Sequence, residues 1–251
     1  MAFDLGYDES GSGDRLLVSV QVGVTEQARR LKKQWRKRLG ELEFFHSKDF
    51  GNYNSGIFTK AGLDRWQRSA LLSDLSKLIH RYLLFSVTAA VSIEEYNANT
   101  TPKFRSRMGT AYGFLIDMCL LSAHACLGDL GLKSEYNILI ESGHRNSEQV
   151  AQILELVRDI PVDLLPFPLK IVTSGLGDKR EHPILQCADM AAYSDWQGYS
   201  DGDPTIWNAL HRKGVRYHAW RVKCDENLIR QFVEGDGPAR QELVNKSISH
   251  D

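Results

Sequence analysis

A chain of 251 residues with 42% apolar and 25% charged side chains can bury its own core, which excludes a disordered segment and a small stapled module. A net charge of −1 excludes a globally basic nucleic-acid coat and leaves room for a local basic groove. The four cysteines, Cys119, Cys126, Cys187 and Cys224, form no C-x-x-C pair, so zinc-ribbon and thioredoxin-type motifs are excluded and buried thiols in a reducing compartment are expected.

The opening MAFDLGYDESG lacks a basic segment followed by an apolar one, so no signal peptide is expected. Phe3 to Asp8 reads as a strand stopped at Glu-Ser-Gly-Ser-Gly, and the β-branched run LLVSVQVGV, Leu16 to Val24, as its hairpin partner. Thr25 is placed to cap the helix that follows, in which Leu31, Trp35, Leu39 and Leu42 share one stripe. Residues 43 to 60 carry turn formers and read as irregular. Leu63 to Tyr82 has helical periodicity, Leu83 to Ile93 reads as a strand, and the polar stretch Asn97 to Arg107 as a loop. Met108 to Leu130 predicts a long, buried, central helix. Tyr136 to Glu141 predicts a strand, Ser147 to Asp159 a helix and Leu169 to Thr173 a strand. Pro183 opens a helix at the position where a missing N–H costs least. The tail from Thr205 to Lys246 reads as helical in pieces. No apolar run is expected to reach the roughly 20 residues that span a bilayer, which points to a cytoplasmic protein without a membrane partner. The alternation predicts one α/β domain: a mixed sheet opening with an antiparallel hairpin, helices on both faces, and a basic and aromatic C-terminal extension from about residue 205.

Three acids sit where an element can aim them inward. Asp8, followed by Glu9, ends the first strand, Glu141 ends a later apolar strand, and Asp189 interrupts a helix of small and apolar residues from Ile184 to Ala192. Carboxylates packed closely repel one another, so their convergence is costly unless a cation is bound. Mg²⁺ and Mn²⁺ prefer such oxygen ligands, and a pair of divalent ions can hold a phosphodiester, activate a water and stabilise the leaving oxygen. The bland alternatives are turn-forming acids at Asp8 and Glu141 and a surface-facing Asp189. The sequence contains no G-x-x-x-x-G-K-[ST], G-x-S-x-G or H-E-x-x-H pattern.

GYDESGSG, EFFHSKDF, YNILIESG and HPILQCADMAAY together resemble the Y-x-D-E-S-G opening, the E-x-H-x-K-D-type stretch, the acid-ending strand and the closing I-Q-x-A-D helix of the bacterial family called domain of unknown function 3800. These motifs run from residue 7 to residue 193. The resemblance implies a ribonuclease H-like fold and metal-dependent nuclease activity, with Asp8, Glu141 and Asp189 as ligands of Mg²⁺ or Mn²⁺ and Glu9 nearby. It also draws in His46 as a proton shuttle, Lys48 as a phosphate contact and Asp49 as a member of the metal shell, which periodicity does not select. The family pattern has Asp where this chain has Glu141, whose side chain reaches one methylene further.

Basic groups supply candidate nucleic-acid contacts. Arg29, Lys33 and Arg36 lie on a charged face opposite Leu31 and Trp35, Lys48 and Lys179 flank the acids, and Arg212 and Arg216 are interleaved with Trp207, Tyr217 and Trp220 in a single-strand-binding pattern. The bland reading is a solvated charged face on the helix and in the loops, and core aromatics with surface basic groups in the tail. Three functions fit: phosphodiester hydrolysis with Asp8, Glu9, His46, Asp49, Glu141 and Asp189 as candidate catalytic groups, a non-catalytic nucleic-acid-binding or assembly protein, and a phosphohydrolase of small phosphate esters. No pattern fixes a protein partner or an oligomeric state.

Overall fold

Alternation along the first two strands divides the molecule into two cores. The computed structural model describes residues 1–132, 135–143, 169–199, 205–211, 217–234 and 248–250, together with Val150 and Leu154. Strands β1 (Ala2–Ser12) and β2 (Arg15–Val24) form the expected antiparallel hairpin, with Tyr7 opposite Val20 and Asp8 opposite Ser19. Successive side chains on a strand point to opposite faces. Phe3, Leu5 and Tyr7 therefore join one buried cluster, while Asp4, Gly6 and Asp8 face the other side.

Helix α1 (Thr25–Leu39) buries Leu31, Trp35 and Leu39, with Leu42 packed just beyond it. Thr25 does not cap this helix. Its hydroxyl donates to Asp4 Oδ1 at 2.7 Å, because Asp4 already faces it from β1. The irregular stretch after α1 contains two single turns, α2 (Ser47–Phe50) and α3 (Ile57–Lys60). Helix α4 (Arg65–Tyr82) opens on a reciprocal capping box between Asp64 and Gln67. Strand β3 (Phe85–Ser92) pairs antiparallel with β2.

The stretch expected to be a loop, Asn97 to Arg107, instead holds the end of α5 (Ile93–Asn99) and nearly all of α6 (Pro102–Met108). Ser92 and Thr101 each accept a hydrogen bond from a backbone N–H three residues on, and Pro102 occupies the first helical turn, so caps override the polar composition. Helix α7 (Ala111–Asp129) is the expected central helix. It is more apolar than expected, enough by length and composition to cross a membrane, yet 94% of its most apolar window is buried in the fold, against β2 and β3 and under Phe232.

Strands β4 (Glu135–Glu141) and β5 (Lys170–Gly177) add in parallel beside β1, β5 running four residues further than expected. The helix expected at Ser147 to Asp159 lies outside the described residues apart from Val150 and Leu154, both buried. Helix α8 (Pro183–Tyr199) crosses the sheet on the face opposite α7, together with α1 and α4. Beyond it, α9 (Thr205–Leu210) and α10 (Glu226–Glu234) are helical as expected, but His218–Cys224 is a strand, β6, parallel to β3. Tyr217, Trp220, Val222 and Cys224 are buried, which favours a strand inside the sheet over an extension outside it. A short β7 (Ile248–His250) pairs with β6, giving the order β5-β4-β1-β2-β3-β6-β7 among the described residues. The protein is thus α/β, with a mixed sheet led by a hairpin and helices on both faces. The four cysteines are free and buried.

A candidate acid site at the strand ends

Asp8 and Asp189 come near one another because α8 lies directly on β1. A Cβ on Gly6 would sit 2.8 Å from Ile184 Cγ2, so only glycine permits this approach. Two residues further along the strand is Asp8, and five residues further along the helix is Asp189, each a travel of about 7 Å. Glu141 enters from the neighbouring strand. The last paired residues of β1 and β4, Tyr7 and Ile140, leave Asp8 and Glu141 level, on the face that α8 covers. All three are buried, with 1%, 7% and 6% exposure for Asp8, Glu141 and Asp189. The turn and surface readings of these acids do not hold.

A positive charge sits among them. Gly177 pairs with Glu141 at the end of β5, so Lys179, two residues on, turns back over the acids. Its Nζ lies 2.7 Å from Glu141 Oε1 and 3.5 Å from Asp8 Oδ2. Asp8 Oδ1 accepts the Glu9 N–H at 2.7 Å, and Asp189 Oδ2 accepts the Ser47 N–H at 2.7 Å. Burial, then the neighbouring Asp8, push the Asp189 carboxyl upward, against the pull of Lys179, His46 and the Ser47 N–H. Burial, then Lys32, push the His182 imidazole downward.

The donor set suits a hard divalent cation, since Asp8, Glu141 and Asp189 offer only carboxylate oxygens. As they stand, no three His, Cys, Asp or Glu side chains among the described residues are grouped closely enough to hold an ion. Lys179 lies between Asp8 and Glu141 instead.

The remaining expected residues divide. His46 belongs to the site: it acts on the Asp189 carboxylate, and its Nδ1 lies 3.3 Å from Asp49 Oδ2. Asp49 lies against His46 and 3.4 Å from the Ile57 N–H, and a Cβ on Gly56 (φ +93°) would strike its carboxyl. It therefore supports His46 rather than joining the acid cluster. Glu9 points to the opposite face of the sheet, where its charge acts on Tyr112 of α7, as strand alternation after Asp8 requires. Lys48 is exposed. On α1, Arg29 pairs with Glu26, Lys33 is exposed, and Arg36 bridges to Glu181 in the turn that carries Lys179.

In the aromatic tail Tyr217 and Trp220 are core, and Trp207 is half-buried. Tyr217 donates its hydroxyl to Gln21 Oε1 at 2.8 Å, Trp220 packs edge-on to Phe85, and Trp207 is covered by the Arg221 guanidinium, itself bonded to Asp195. None of the three is arranged to stack on a base. Arg212 and Arg216 lie outside the described residues.

One organising residue lies in the I-Q-x-A-D stretch, where the sequence reading gives it no role. Gln186, buried three residues before Asp189, accepts the Trp35 Nε1–H at 2.8 Å and the Phe45 N–H at 2.7 Å, and donates to the Lys179 carbonyl at 2.6 Å. It ties α1, the His46 segment and the Lys179 turn to the helix that carries Asp189. A glutamine inside an apolar helix must find partners, and that is the signal that marks it.

No family model matches the chain, and no curated protein matches it.

Proposed function

We propose that the chain hydrolyses phosphodiester bonds in a nucleic acid, with a divalent cation such as Mg²⁺ or Mn²⁺ held by Asp8, Glu141 and Asp189. The observation that carries this reading is the burial of three carboxylates at the ends of β1 and β4 and on α8, where a cation relieves their mutual repulsion. When bound, the cation supplies charge neutralisation at the phosphate and activation of a water. Ser47 N–H fixes the Asp189 carboxylate. The Asp49 carboxylate favours the His46 proton on Nδ1 and leaves Nε2 to take up or release one during the reaction. Arg36 and Lys33 give the adjoining face of α1 positive charge toward a polyanion. The hairpin-led mixed sheet and the spacing of GYDESG, HSKD and LQCAD agree with a ribonuclease H-like relative of the domain of unknown function 3800 family.

Purified protein is expected to cleave DNA or RNA strands only with Mg²⁺ or Mn²⁺. Asp8→Ala and Asp189→Ala should each reduce cleavage at least a hundredfold while circular dichroism stays unchanged. Divalent-dependent cleavage that survives both substitutions would falsify the reading. Hydrolysis of nucleotides alone, with strands left intact, would turn it to small phosphate esters.

A further inference from the structure

We propose that Tyr53 is a stacking platform for a nucleobase, so that a strand at the acid site is held by a base as well as by its phosphates. The inference rests on the nucleic-acid reading above and names the part of the polymer that this side of the site recognises. Tyr53 lies in the turn between α2 and α3, and its ring is 51% exposed. One face of the ring is already covered, by the Arg68 guanidinium at 4.7 Å from the centroid. Arg68 is 2% exposed and fixed on all sides. Its Nε donates to the Leu63 carbonyl at 3.1 Å, Nη1 to the Phe50 and Asn52 carbonyls at 3.1 and 2.9 Å, and Nη2 to the Thr59 hydroxyl at 2.8 Å. Asn52 closes the turn again, because its Oδ1 accepts the Asn54 and Ser55 N–H groups. The ring is therefore held in place before anything binds, which lowers the ordering cost of stacking on it. Trp66, 83% exposed, has no such support among the described residues.

Charge suits the platform to a base. Arg68 is held by carbonyls and a hydroxyl and pairs with no carboxylate among the described residues, so a buried positive charge stands behind the ring. Aromatic faces are negative, and two of them repel when stacked squarely. A cation on the far side draws that density away from the open face, and it also attracts the phosphates on either side of the base. Trp207 lies under an arginine too, but the His211 ring stacks on it at 3.3 Å and leaves it no open face. The platform is tied to the acids through α2. Arg68 grips the carbonyl of Phe50, the last residue of that turn, and Ser47, the first, donates its N–H to Asp189. One helical turn, about 6 Å, separates the two grips, and the exposed Lys48 lies between them, where it can meet a phosphate of the same strand.

The test compares two labelled single strands of equal length and charge, one carrying bases and one abasic throughout, by fluorescence anisotropy in chelator. Wild type should bind the base-bearing strand about tenfold more tightly than the abasic one. Tyr53→Leu and Tyr53→Gln should each lose that preference and bind both strands with the abasic affinity. Tyr53→Phe should keep it within about twofold of wild type, because the ring and not the hydroxyl stacks. The preference is a ratio within one protein, so a variant that is merely less stable does not lose it. Equal affinities of wild type for the two strands overturn the platform, as does a preference that survives in the Leu and Gln variants, and both results leave the nucleic-acid reading standing. Failure of wild type to bind either strand overturns that reading and the platform with it.

Discussion

Asp189 is the residue at which stability and chemistry pull apart. Burial and the neighbouring Asp8 hold its carboxyl above the ordinary aspartate range. The folded chain therefore keeps a proton there that the unfolded chain has already released, and without metal its stability falls as pH rises from about 4 toward the raised value. Asp189→Asn keeps an oxygen for the Ser47 N–H and removes the charge. In chelator it should exceed wild type in stability by about 1 kcal/mol near neutral pH, and the gain should shrink as pH falls toward the ordinary aspartate value. Urea unfolding at several pH values measures this, and a variant less stable than wild type throughout would show that the carboxylate is stabilising where it stands. The residues that could be read from sequence share a simple mark: Asp8 and Glu141 end apolar strands, and Asp189 breaks an apolar helix. Lys179 has no such mark. A basic pair before a helix looks the same whether it faces water or turns inward, and only the pairing of Gly177 with Glu141 decides between them.

Among elements, the contact of α8 on β1 sets the site, and it depends on an absent side chain. Gly6→Ala would put a methyl group 2.8 Å from Ile184 Cγ2 and 3.1 Å from the Ile184 backbone carbonyl carbon, which cannot swing aside as a side chain does. Overpacking of this kind costs about 1–3 kcal/mol. Because the strain is relieved by lifting α8, Asp189 moves with it, and Mn²⁺ affinity should fall at least tenfold along with the urea midpoint. Loss of stability with unchanged Mn²⁺ affinity would mean that helix placement does not govern the acids. Helical and strand periods revealed α1, α4, α7, α8 and the hairpin, because each has a long apolar stripe or run. They failed at α5 and α6, where the caps Ser92 and Thr101 rather than apolar spacing make the helices. They failed again at β6, whose inward Trp220, Val222 and Cys224 are separated by Arg221 and Lys223, so the basic residues hid a two-residue alternation.

At the scale of the whole molecule, one sheet separates an apolar core around α7 from a second core that carries the acids at its rim. Strand β6 extends that sheet beyond β3, and Trp220 stands level with Val87 in the register. Its ring lies 4.6 Å from that of Phe85, edge-on, and it is 7% exposed. Were this aromatic a platform for bases, Trp220→Ala would weaken single-strand binding and leave folding intact. The fold dictates the reverse. Removing a buried indole that packs on Phe85 should cost about 3–5 kcal/mol, because the rigid sheet cannot collapse to fill the space. Urea unfolding read by circular dichroism should register that loss. Fluorescence anisotropy with a labelled single strand, recorded well below the variant's midpoint, should give an affinity within about twofold of wild type. Nucleic acid would then be held by charges such as Lys33 and Arg36 on α1, so raising salt should weaken binding equally in both proteins. An affinity loss of tenfold in a variant of unchanged stability would return Trp220 to the binding surface and remove it from the core.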